Sequence, residues 1–173
     1  MEFDLKKSLE ILDKTPTVLE AMLQGLSDEW IFNNEGDETW SPYDVIGHLI
    51  HGEKTDWIPR LEIILAQQGG SKFDPFDRFA QFKNSEGKTL HQLLEEFKIL
   101  RKHNLEIVRN KKLTNLQYTL KGMHPSLEEV TLAQLLATWV VHDLNHIAQV
   151  ARVMAKQYKH EVGPWFEYLG ILK

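Results

Sequence analysis

Cysteine is absent from this chain of 173 residues, which removes disulfides, thiolate metal ligands and cysteine nucleophiles together. Any metal must then be held by histidine, carboxylate or water. No apolar run approaches the length needed to cross a bilayer, and Met1-Glu2-Phe3-Asp4-Leu5-Lys6-Lys7 lacks the apolar centre of a signal peptide. The expectation is a cytoplasmic protein. A concentrated basic face is also missing: the formal net charge is -5 and Lys and Arg are scattered, so phosphate-backbone binding has no footprint and nucleic acid is excluded as an expected partner. Biased segments and repeats are absent as well. With 42% hydrophobic residues, the chain reads as one domain over 1–173 with a core of useful size.

What is present is helical periodicity. Phe3, Leu5, Leu9, Leu12, Leu19, Met22, Leu23 and Leu26 recur at three- and four-residue intervals, predicting a first helix that Pro16 kinks or restarts near Thr15. Trp40-Ser41-Pro42-Tyr43-Asp44 is a start signal, with Ser41 as N-cap, Pro42 at the first helical position and Asp44 three beyond the cap. A second helix is expected from there to about Gln67, ended by Gly69-Gly70. Gly69 to Lys88 is a long connection carrying Phe73, Phe76, Phe79 and Phe82, a composition that suits a packed lid. Thr89-Leu90-His91-Gln92 opens a third helix and Thr131-Leu132-Ala133-Gln134 a fourth, which runs to about Tyr158. Leu113 to Val130 reads as irregular, and the aromatic tail Val162 to Leu169 is expected to pack back on the domain. The expected fold is all-α, a four-helix bundle with a long aromatic-rich loop between helices 2 and 3.

Within the fourth helix, His142 and His146 stand four residues apart, so both imidazoles project from one face. His146 falls inside the apolar stripe formed by Leu132, Leu136, Trp139, Val140, Ile147, Val150 and Met154. His142 lies on its edge. Asp143 falls near the middle of the stripe, where an unpaired carboxylate is costly. It therefore needs a partner: a metal-bound imidazole, the metal itself or a tryptophan indole. The alternative is that this end of the stripe is wet and all three are solvated. Two imidazoles are half of a transition-metal site, which wants at least three protein donors and, if catalytic, an open position. In a bundle the missing donor comes from a facing helix, and the second helix offers His48 and His51. His48 lies on a strip with Gly52, Thr55 and Pro59 that suits either a cavity wall or solvent. His91 and His103 have no partner spacing and read as surface residues.

These features together resemble the DinB/YfiT-like superfamily: the capped Trp-Ser-Pro helix carrying Gly47-His48-Leu49 and Glu53, then His142-Asp143-Leu144-Asn145-His146 with Gln149, the Asp74-Pro75-Phe76-Asp77-Arg78-Phe79 loop and the His124-Pro125 turn. The resemblance implies a four-helix bundle with a histidine triad, here His48, His142 and His146. It also implies a divalent transition metal, zinc or nickel, open to solvent, in a thiol-dependent transferase or isomerase with a low-molecular-weight thiol as cosubstrate, and a homodimer. Hydrolysis of a small molecule fits the same site. An ion held by three neutral imidazoles keeps its double charge and acidifies a bound water or thiol. Asp143 and Glu53 are the candidates for a catalytic acid or base, and each also suits the role of orienting a ligand histidine. A competing reading is a non-catalytic, metal-stabilised bundle that binds a small molecule or a partner chain, with Asp143 or Glu53 closing the site as fourth ligand. A zincin-like reading with Glu167 as a downstream ligand is weaker, because Asp143 is one methylene shorter than the required glutamate and Gly163-Pro164 breaks the helix.

Overall fold

The computed structural model describes residues 2–67 and 72–173. Four long helical arms make a bundle: α1 (Leu5–Leu23), α3 (Pro42–Thr55) continued by α4 (Trp57–Ala66), α6 (Leu90–Asn110) and α7 (Leu132–Lys156). Short helices α2 (Asp28–Phe32) and α5 (Ala80–Ser85) and an antiparallel hairpin, β1 (Lys121–His124) with β2 (Glu128–Thr131), join them. The helix starts follow from capping chemistry. Ser41, Thr89 and Thr131 each accept a hydrogen bond from the backbone N–H three residues on, while the side chain at that third position accepts one from the cap's own backbone N–H.

Two apolar clusters fill the bundle. One gathers Leu12, Trp57, Leu61, Leu105, Val108, Leu132, Leu136 and Trp139. The other gathers Leu19, Leu23, Val45, Ile46, Leu49, Leu93, Phe97 and Val150. Their order along each helix fixes the topology: α1 and α7 run from the first cluster to the second, α3 and α6 from the second to the first. The α4-to-α6 connection therefore travels the length of the bundle, which is why it is long. It drops Phe73 into the first cluster and sets α5 against α3. The Cβ that Gly47 lacks would meet Ser85 Oγ at 2.4 Å, so glycine permits this approach.

Several expectations change. Helix α1 continues unbroken through Pro16 from Leu5 to Leu23. The long second helix is two helices broken at Asp56, and the proposed stop at Gly69-Gly70 lies outside the described residues. The segment read as irregular holds the hairpin, whose strands are only four residues each and offer little alternation to detect. The tail returns to α7 through Leu172, which is buried, but Trp165 and Tyr168 stay exposed.

Candidate metal centre

Between the two apolar clusters three of the long arms turn polar at the same level. α3 contributes Glu53, α6 Arg101 and Asn104, and α7 Asp143 and His146, all buried. Arg101 is the hub. Its Nη1 and Nη2 donate to Asp143 at 2.5 and 3.0 Å, and its Nε and Nη2 donate to Glu53 Oε1 at 3.1 and 2.8 Å. Asn104 Nδ2 and the Trp139 indole also donate to Glu53, at 2.9 and 3.2 Å. The fifth Arg101 bond goes to the Leu12 carbonyl at 3.0 Å. That carbonyl is four residues before Pro16, which has no N–H to give it. The proline thus leaves an acceptor open at the level where the guanidinium needs one. Burial works against the charge of Arg101, yet Glu53 and Asp143 hold it ionised, while burial raises Glu53.

Beside this layer stand the imidazoles. His48 Nε2 and His146 Nε2 each lie 3.1 Å from His142 Nε2, and one nitrogen from each ring lies within 4.8 Å of the others. The tetrahedral nitrogens around an ion bonded at about 2.0–2.1 Å are about 3.3 Å apart, so the three donors fit a transition metal. Without a cation, three nitrogens so placed cannot all find a proton to share. Burial, with the neighbouring imidazoles, pushes His48 down to about 3 and His142 to about 2, and burial also lowers His146. All three are therefore neutral and ready to ligate at neutral pH. Gln149 Oε1, 2.8 Å from His146 Nδ1, fixes that ring's tautomer and frees Nε2. His48 Nδ1 and His142 Nδ1 are buried without a partner.

The predicted ligands His48, His142 and His146 are thus brought together from α3 and α7. His51 is not among them; its ring packs on Phe76 at 4.8 Å. Asp143 and Glu53 engage Arg101, so the partner of Asp143 is an arginine and not one of the three groups expected from sequence. Neither carboxylate joins the triad among the described residues. Arg101 and Asn104 were missed, although a signal existed: both occupy core positions of the α6 stripe that runs through Leu93, Phe97, Leu105 and Val108.

Two chambers flank the imidazoles and share His48, Arg78 and His142. One, of about 540 Å³, is walled by Trp57, Phe73, Phe76 and Leu135, with Asp56 and Arg60 at its side. The other, of about 800 Å³, is mixed, with Glu35, Thr39, Asn145, Gln149 and Arg152 beside Trp40, Phe79 and Phe82. Arg152 and Lys156 pair with Glu35 and depress its carboxyl to about 2, tying the α2–α3 loop to α7.

The sequence model of the DinB superfamily matches residues 11–150. This chain is a member of the DinB superfamily. Among solved structures it resembles YfiT from Bacillus subtilis, described as a probable metal-dependent hydrolase with an unusual four-helix bundle topology; identity is 22%, the TM-score is 0.75, and the match covers 94% of this chain and 90% of that one. No curated protein matches the chain. The DinB assignment and the shared topology agree with the bundle described above.

Proposed function

We propose that the chain is a metal-dependent enzyme in which His48, His142 and His146 hold a divalent transition ion, zinc or nickel, and act on a small molecule. The convergence of three neutral imidazole nitrogens carries this reading. A bound ion would supply positive charge that makes a water or thiol nucleophilic near neutral pH. The residues of the chain do the rest. Gln149 orients His146, the Arg101 layer holds α3 and α7 in register, and the chambers admit and align reactants.

Two chambers on one centre favour a reaction of two partners, transfer of a low-molecular-weight thiol to a substrate in the apolar chamber. With no cysteine in the chain, that thiol comes from outside. Hydrolysis is the second reading, favoured by what is said of YfiT. We read Glu53 and Asp143 as positioning residues, because Arg101 occupies both carboxylates. A homodimer is part of the proposal; Val141 and Leu144, exposed on α7, give it a face.

Metal analysis of protein purified without a chelating tag, beside His48→Ala and His146→Ala, tests the core claim. The expected result is metal in the parent and loss in both variants with helical circular dichroism kept. Retention in both would discard the triad.

A further inference from the structure

The α3–α4 break occurs at Asp56, which stands at the N-cap of α4 yet makes no side-chain cap bond and keeps a helical backbone, φ -113° and ψ -67°. Aspartate at such a position ordinarily caps. Here the side chain is turned to the apolar chamber, whose wall it shares with His48 and His142. Arg60 Nε forms an ion pair with Asp56 Oδ1 at 2.5 Å, and that oxygen is buried, which leaves the other carboxylate oxygen free of Arg60. Arg60 in turn lies over the Phe73 ring, 5.1 Å from its centroid, which fixes the pair against the chamber wall.

We propose that Asp56 is the proton acceptor of this site. The inference rests on the metal-dependent reading above. The Asp56 carboxylate takes the proton, on the oxygen that Arg60 does not hold, from the O–H of a water or the S–H of a thiol entering beside the imidazoles. The oxygen or sulfur keeps the electron pair as nucleophile, and Asp56 becomes a neutral carboxylic acid. The same proton then passes to the leaving group, so no oxidant or reductant is needed. Burial, against the pull of Arg60, raises this carboxyl to about 6, close to the value that suits proton exchange near neutrality. The other charged or titratable groups on the chamber are Arg60 from α4, His48 from α3, Arg78 from the crossing connection, His124 from β1 and His142 from α7.

Cobalt(II) is the probe. Its visible absorption in a histidine site reports ionisation of water on the ion. Parent protein and Asp56→Asn are loaded with cobalt and titrated from pH 5 to 9. The expected result is equal cobalt uptake and a titration midpoint displaced by at least half a pH unit in the variant. Superimposable curves would overturn the proposal. If Asp56→Asn does not fold, carbon-13 aspartate NMR of the parent replaces it: zinc must move the late-titrating carboxyl, and an unmoved one counts against Asp56. A parent protein that takes up no cobalt removes the metal reading, and this inference with it. For any substrate found to turn over, Asp56→Asn should lower kcat about 10²- to 10⁴-fold with metal content unchanged.

Discussion

Three imidazoles that remain neutral in the folded chain make metal-free protein sensitive to acid. Each has its folded pKa below the unfolded value of about 6.5, His48 at about 3 and His142 at about 2. As pH falls, the unfolded chain takes up protons that the folded one refuses. Stability from these groups is complete above the unfolded value and drains away as pH drops from there toward 3 for His48 and 2 for His142. The urea midpoint of chelator-treated protein should therefore fall between pH 7 and 5. The same titration on zinc-loaded protein should start higher and fall in parallel, because imidazoles that stay neutral in the folded chain do not give up the ion in this range. Arg101 is the other decisive residue. Arg101→Met leaves two buried carboxylates facing each other and should cost about 3–5 kcal/mol in chemical denaturation. Changing Glu53, Arg101 and Asp143 together to apolar residues of similar volume should recover most of that loss, because the burial cost of the charges disappears with them.

At the scale of elements, the hairpin and the crossing connection meet on one glycine. A Cβ on Gly122 would lie 2.6 Å from the Phe73 ring and 2.8 Å from Ile64. Neither neighbour can yield, since Phe73 and Ile64 are both core residues. Gly122→Ala should destabilise the fold by about 1–3 kcal/mol and push Phe73 into the apolar chamber. Thermal melts read the first effect, and weakened binding of chamber ligands reads the second. Helix starts behave more simply. Thr131→Ala removes one half of a capping box and should cost about 1 kcal/mol without touching metal uptake. These starts were legible because capping is local: Ser41, Thr89 and Thr131 meet their partners three residues away. The hairpin was not, since its Lys121↔Thr131 and His124↔Glu128 pairs depend on a short turn after which Glu128, opening β2, takes a positive φ of 61°. The break at Asp56 was equally hidden, as apolar spacing continues straight through it from Ile50 to Trp57 and Leu61.

For the whole molecule, the reversal of α3 and α6 relative to α1 and α7 sends the crossing segment past the imidazoles, and with it Phe76 and Arg78. Binding energy at the triad is then folding energy for two arms of the bundle. With free zinc at about 100 times its dissociation constant, stability should rise by about 2.7 kcal/mol. For a chain of this size that is about 5–10 °C in Tm. Calorimetry with and without zinc checks it, and His146→Ala should show no shift.

By itself the sequence determined the four arms, their starts and the pairing of His142 with His146, since periodicity, capping and the four-residue helix repeat are set by neighbours along the chain. It also marked Asp143 as a buried charge in need of a partner. Tertiary structure alone decided who that partner is. Glu53, Arg101, Asp143 and the Leu12 carbonyl left open by Pro16 belong to four helices, and only their packing brings them to one level. The same holds for His48: a polar strip on one helix joins the imidazole cluster when α7 lies against it, because convergence in space depends on contacts between distant segments that no local pattern encodes.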